Sequence, residues 1–198
     1  MHTIIAVVAQ YAVYLSLVIA LAVWLRLPRA RKWEFAVTAV IGGALALGLM
    51  ALGGALYHDT RPFVAEHVAP LFPHAADSGF PSDHTLLAMF VAMCVLFSSR
   101  RWGIVLLAIT AAVAWARVAA LVHRPIDVIA AAAFSVVAAL VARPLALWIT
   151  RRARRSLTLD SRQSCLPALS PAGAGERDRA PGDGTPAGGE DHSHERPA

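Results

Sequence analysis

Lysine is almost missing from this chain. Lys32 is the only one among 198 residues, and arginine supplies the other basic side chains. Cysteine is nearly as scarce. Cys94 lies in an apolar run and Cys165 in a polar stretch, which excludes a disulfide framework and implies no metal spacing. Charge itself is absent over long distances. Residues 4–25 carry none across 22 positions, and residues 35–57 none across 23. Each run exceeds the roughly 20 residues that a helix needs to cross the hydrocarbon core of a bilayer. Such runs exclude an ordinary soluble domain. A basic leader is missing too, because only Met1, His2 and Thr3 precede the first run. That run is also long for a signal-peptide core, so it reads as a retained helix. No internal repeat is present.

What remains is an all-α membrane pattern. Hydropathy predicts five transmembrane helices, over about 4–25, 35–57, 85–99, 102–122 and 125–149, with a short polar outer-loop segment in 58–84. Pro125 suits the first turn of a helix, where its missing N–H is not needed. Arg143-Pro144 is expected to kink or fray the end of the last span. The membrane domain is placed at 1–150. Residues 151–198 are read as a cytoplasmic tail, disordered from about Ser156, where Pro, Gly, Ser and charge replace apolar periodicity. His192 and His194 in that tail read as solvated rather than as metal ligands.

The net charge of +5 is informative by position. Ten basic residues (26, 29, 31, 32, 100, 101, 151, 152, 154 and 155) fall on one side of the expected spans, and only Arg61, Arg117 and Arg124 on the other. This is a topology signal, not a nucleic-acid surface. It predicts an outer N-terminus, a cytoplasmic C-terminus and a bilayer as the partner. Trp102 and Trp115 read as interfacial or packing aromatics, and Arg124 as a contact to lipid headgroups or, as the lesser alternative, to a diphosphate.

Three polar clusters interrupt the apolar chain, all on the outer side. The strongest is Arg117-x5-His123-x3-Asp127. An arginine inside a membrane helix costs on the order of 3 kcal/mol, so it normally has an anionic partner or a task. A histidine whose other ring nitrogen faces a carboxylate is a candidate nucleophile toward phosphorus. Read alone, His123 and Asp127 are equally an interfacial histidine beside a charge at a helix N-terminus. The second cluster is Pro81-Ser82-Asp83-His84. Ser82 offers a hydroxyl, His84 a general acid and the helix start a set of free N–H groups. Alone it is also a plain helix start capped by Ser82 or Asp83. The third is Arg61-Pro62, whose guanidinium suits phosphate oxygens but is otherwise a solvated loop arginine. Together they supply the clamps, acid and oriented nucleophile that phosphoryl transfer requires.

In this order and spacing the clusters resemble the type 2 phosphatidic acid phosphatase (PAP2) superfamily, with its K-x6-R-P, P-S-G-H and S-R-x5-H-x3-D motifs. The Pro-Ser-Asp-His form resembles the bacitracin-resistance type of undecaprenyl-diphosphatase within it. The resemblance implies a helical membrane fold and hydrolysis of undecaprenyl diphosphate without a metal or other cofactor. It assigns His123 as nucleophile, Asp127 as its orienter and His84 as acid, with Arg61, Ser82 and Arg117 on the phosphate. Three positions depart from the pattern. Gly54 stands where the lysine belongs, with His58 as a possible substitute. Ala116 replaces the motif serine. Asp83 replaces the motif glycine, so its side chain is expected to point away or cap the helix. His67 and His74 read first as loop residues, with a substrate role the lesser alternative for loop histidines near a site.

Overall fold

The structure is a computed structural model that describes residues 2–75 and 77–164. Cys165, His192, His194 and most of the expected tail lie outside those residues. The order is α1 (His2–Arg26), α2 (Arg29–Leu56), α3 (Pro62–Ala65), α4 (Asp83–Leu96), α5 (Arg100–Ala119) and α6 (Pro125–Ser164). Four of these, α1, α2, α5 and α6, are long and apolar enough to cross a bilayer. The third expected span is the shorter α4, of 14 residues, about 21 Å at the usual helical rise. The five-span expectation therefore holds for four helices by length, with α4 too short on its own to cross roughly 30 Å of hydrocarbon.

α4 can be short because protein, rather than lipid, surrounds it. Eight of its residues are buried, and they occupy every face of the helix. Phe90 and Cys94 pack with Ala46 of α2 and with Ala131, Ala138 and Ala139 of α6. Val91, Ala92 and Val95 pack instead with Ala20 and Val23 of α1 and with Leu106 of α5. A helix that is apolar all round belongs in a core. By contrast α1 and α2 expose Tyr11, Leu21, Val40 and Leu47, surfaces suited to lipid.

Close approach depends on small residues, since lipid tails compete with apolar side chains and only tight packing holds helices together. Ala131, Ala138, Ala142 and Ala146 form a buried stripe along α6, and Ser135 in that stripe donates to the Leu86 carbonyl at 2.7 Å. Gly103 of α5 lies against Leu96: an added Cβ would come within 2.4 Å of the Leu96 Cα. α6 runs through Pro144 without a break and continues to Ser164, past the point where the tail was expected to begin. The freed backbone groups at a proline are tolerated where neighbouring helices pack.

The basic ends of the helices meet at one end of the bundle. A small pocket there is lined by Arg31, Glu34, Ser98, Arg143 and Arg151, and Arg154 pairs with Glu34 at 3.4 Å. The opposite end collects the C-termini of α2 and α5, the N-termini of α4 and α6, and the connection 57–82.

Gly103→Ala should lower the thermal midpoint in detergent, reflecting about 1–3 kcal/mol of overpacking. Gly48→Ala is the control. Nothing lies within 4 Å of a Cβ added there, so its midpoint should stay level or rise.

Candidate active site

Arg117 lies in the last turn of α5 and is 1% exposed, as buried as any residue of its size in the fold. Beyond it the chain turns through Leu121, whose φ of 58° is left-handed without the glycine that usually permits it. Neighbours hold this strained turn in place. Phe63 donates to the Leu121 carbonyl at 3.1 Å, and Val122 donates back to the Arg117 carbonyl at 3.3 Å. The result places His123, also 1% exposed, beside Arg117.

The two ring nitrogens of His123 have unlike partners. Nδ1 lies 2.8 Å from the Gly79 carbonyl, and Nε2 lies 2.9 Å from the Arg117 Nη2. A carbonyl only accepts and a guanidinium only donates, so the assignment is forced: Nδ1 carries the proton and Nε2 presents its lone pair. Burial, the Arg117 charge and the Arg61 charge push the His123 pKa down to about 3. The imidazole is therefore neutral at physiological pH, with its basic nitrogen aimed at a guanidinium. Arg117 Nε is buried with no hydrogen-bond partner among the described residues. An anion bound beside Nε2 would satisfy it.

Asp127 differs from the sequence-based expectation. Its Oδ2 is 3.4 Å from His123 Nδ1, an ion-pair distance rather than a good hydrogen bond. The same oxygen accepts the backbone N–H of Arg124 at 2.8 Å, and Oδ1 is buried with no hydrogen-bond partner among the described residues. Orientation of the ring thus falls first to Gly79, with Asp127 supplying a nearby negative charge. Gly79 has no room for a side chain: an added Cβ would sit 3.2 Å from Asp127 Oδ2 and 3.3 Å from Arg61 Cγ.

Arg61 is 7% exposed, not a solvated loop residue. Its Nε pairs with Asp77 at 2.9 Å, Nη1 donates to the Val122 carbonyl at 2.9 Å, and Nη2 reaches the Ser78 carbonyl at 3.4 Å. It straps the segment bearing Gly79 to the turn bearing His123. Two of its five N–H groups remain for a ligand.

At the start of α4, Ser82 is the N-cap residue but makes no capping bond; its hydroxyl donates to Thr85 Oγ1 at 3.1 Å. Asp83 does not point away. Its Oδ1 accepts from the His84 backbone N–H at 2.8 Å, meets His84 Nδ1 at 2.9 Å and lies 3.5 Å from Arg117 Nη2. It caps a first-turn N–H as expected, yet also faces the buried arginine, whose one ion-pair partner among the described residues it is. The Asp83 carboxylate only accepts, so His84 Nδ1 carries a proton there, and Nε2 is left to face a ligand.

Six of the eight sequence-derived candidates converge here as one connected set, namely His123, Arg117, Asp127, Arg61, Asp83 and His84, with Ser82 against them through its backbone N–H to the Asp127 carbonyl at 3.3 Å. His58 does not join. It is exposed and makes no hydrogen bond or ion pair among the described residues. Its neighbour Asp59 is the buried one, 3.5 Å from Arg124. The sequence reading missed Gly79, Asp59 and Asp77. Gly79 acts through a carbonyl, which no residue type reveals. Asp59 had its place two residues before Arg61 as a signal, whereas Asp77 lies 16 residues after Arg61, in the Pro73-His74-Ala75-x-Asp77 stretch that shares in the subgroup resemblance.

The PAP2 superfamily model matches residues 31–154, which include every one of these side chains. The chain belongs to the PAP2 superfamily. Among its relatives, the undecaprenyl-diphosphatase BcrC of Bacillus subtilis (strain 168) is 33% identical over 65% of this chain and 66% of its own length. A putative undecaprenyl-diphosphatase, YbjG of Escherichia coli (strain K12), is 32% identical over 56% of each. The chain thus spans somewhat less than two thirds of the length of the relatives it matches. The crystal structure of Aquifex aeolicus LpxE shares the fold, with a TM-score of 0.53 at 20% identity over 71% of this chain and 82% of that one. This PAP2 chain is a multi-pass membrane protein by its helices and its relatives.

A pH dependence of stability follows from His123. Its pKa is lower folded than unfolded, so below about 6.5 the unfolded chain takes up a proton that the folded one refuses. The stabilisation is complete above that value and is lost progressively as pH falls toward about 3. Thermal midpoints in detergent should fall over this window, and His123→Gln should make the fall shallower.

Proposed function

We propose that this chain is a lipid phosphatase that hydrolyses undecaprenyl diphosphate to undecaprenyl phosphate and inorganic phosphate, recycling the lipid carrier of cell-wall synthesis. The observation that carries the reading is the forced tautomer of His123, with Nε2 presented to a buried guanidinium that still has an unpaired donor. Arg117 Nη2 turns from Nε2 to the incoming phosphoryl oxygens, and the freed lone pair of Nε2 attacks the terminal phosphorus while the bond from phosphorus to the bridging oxygen breaks. His84 enters this step doubly protonated, its Nδ1–H held by Asp83 at 2.9 Å, and gives its Nε2 proton to that oxygen as undecaprenyl phosphate leaves. Positive charge grows on the His123 ring as the P–N bond forms, and Asp127 at 3.4 Å offsets it. Water then attacks the phosphorus, the P–N bond breaks with its electron pair returning to His123 Nε2, the water's proton goes to His84 Nε2, and phosphate leaves. Arg117 and the spare N–H groups of Arg61 stabilise the equatorial oxygens. Ser82 lines the same space.

A lipid substrate is supported by a groove of about 470 Å³ between α1, α2 and α4. Tyr14, Gly43, Leu47, Met50, Leu87 and Phe90 line it, and Asp83 and His84 close its polar end. A diphosphate held at His84 can leave its prenyl tail in this apolar channel. The substrate names of the two relatives favour a polyprenyl diphosphate. A second reading, another PAP2 lipid phosphatase acting on phosphatidate or phosphatidylglycerol phosphate, uses the same groove and site. The basic end of the bundle supports a cytoplasmic C-terminus, with residues 151–198 as its tail and the active site on the outer face of the plasma membrane.

Purified protein should release phosphate from undecaprenyl diphosphate in preference to phosphatidate or phosphatidylglycerol phosphate. His123→Ala should lower the rate by about a thousandfold or more, and His84→Ala by about 10²–10⁴-fold. Unchanged release from His123→Ala would sink the mechanism. The groove has its own test. A Cβ at position 43 meets only Phe90, at 3.8 Å, so Gly43→Leu fills the channel rather than distorting it. It should cut kcat/KM for the long-chain substrate about tenfold and leave a short-chain prenyl diphosphate much less affected.

A further inference from the structure

The proposed phosphate clamp is one cation short, because Gly54 stands where the family pattern has lysine. His58, the nearest substitute in the sequence, is exposed and outside the site. The structure offers another. His74 comes from the connection between α3 and α4, and its ring packs edge-on against two aromatic rings. Phe72 is one, with centroids 5.7 Å apart at 89°, and His123 is the other, at 6.5 Å and 70°. The Arg117 guanidinium lies 6.0 Å from the Phe72 ring. His74, Phe72, Arg117 and His123 thus form one continuous wall of the site.

His74 is half-buried, yet neither ring nitrogen has a hydrogen-bond partner among the described residues. The charges that face it all belong to the site: Arg61 beside α3, Arg117 on α5, Asp83 on α4 and Asp77 in its own connection. His123 in the α5–α6 turn is neutral. An imidazole without a partner, in reach of the group that His123 would attack, has an N–H donor to spare. We propose that His74 is a ligand of the transferring phosphoryl group and takes the place of the missing lysine. This rests on the phosphatase reading above.

Burial, then Arg61 and Arg117, lower the His74 pKa in the free protein, while Asp83 and Asp77 oppose them. His74 is therefore uncharged at neutral pH until an anion arrives. A phosphoryl group beside it reverses the sign of the local field and favours the imidazolium. Substrate binding then takes up a proton, and affinity falls as pH rises through the pKa of His74 in the complex. A lysine would show no such dependence near neutrality.

The alternative is a packing role on Phe72, and His74→Phe separates the two. Phenylalanine keeps the edge-on contacts and removes both nitrogens. The expected result is a loss of about tenfold to a hundredfold in kcat/KM for a polyprenyl diphosphate, mostly through KM, at an unchanged thermal midpoint. His74→Lys should hold kcat/KM within a few-fold of wild type and flatten its KM between pH 6 and 8. Position 54 has space, since an added Cβ there meets the Phe80 carbonyl at an ordinary 3.4 Å. Gly54→Lys in the His74→Phe background should then recover about tenfold. Equilibrium binding of inorganic phosphate to the purified protein, read without turnover, should weaken in His74→Phe and return in the double variant. Wild-type kcat/KM, KM–pH profile and phosphate affinity in His74→Phe would overturn the assignment. So would a His74→Lys variant as impaired as His74→Phe. Absence of any lipid phosphate turnover by the wild type would instead overturn the phosphatase reading, with phosphate binding still reporting on His74.

Discussion

The hydrogen bond from His123 Nδ1 to the Gly79 carbonyl is the contact around which the site is organised. It ties the α5–α6 turn to a segment 44 residues earlier and fixes which nitrogen is basic. Much of the surrounding structure keeps that carbonyl in place. The Gly79 N–H bonds the Asp59 carbonyl at 2.8 Å, a bridge joins Thr60 to Ser78, and Arg61 holds both sides together. A carbonyl suits the task because it can only accept, so the ring has a single tautomer to adopt. A carboxylate at hydrogen-bond distance would fix the same tautomer but raise the ring's pKa toward the imidazolium, which has no lone pair to present. Keeping Asp127 at 3.4 Å provides negative charge without that cost.

The buried charges are incompletely matched. Among the described residues, Arg117 has His123 and a distant Asp83 but an unpaired Nε, while Asp127 and Asp59 each keep one buried oxygen without a partner. Unpaired buried polar atoms are costly, and folds that retain them usually do so at functional sites. The helix packing that tolerates this is built from small residues. Alanines on α6 and glycines on α2 and α5 let α4 sit enclosed, so its N-terminus can be aimed at the turn bearing His123.

Much of the fold was legible in order and kind. Uncharged runs marked α1 and α2, and Arg100-Arg101 marked the start of α5. α4 was legible as an apolar helix, but not as one enclosed by its neighbours, because hydropathy does not separate lipid from protein as the surrounding medium. The continuation of α6 through Pro144 was hidden for a related reason: a proline's effect on a helix depends on what packs beside it.

The amino-acid sequence by itself determined the residue types and spacings of the site, since His123 and Asp127 at i and i+4 share a helix-end neighbourhood wherever the chain goes. It also set the basic end of the bundle, because charge cannot enter hydrocarbon cheaply. Only the tertiary structure decided what those residues touch. It gave the orienting role to a backbone carbonyl, turned Arg61 from a loop cation into a strap, left His58 outside and brought His74 to the wall beside His123. These outcomes depend on contacts between positions far apart in the chain, and on backbone groups that are chemically the same at nearly every residue, so no local pattern records them.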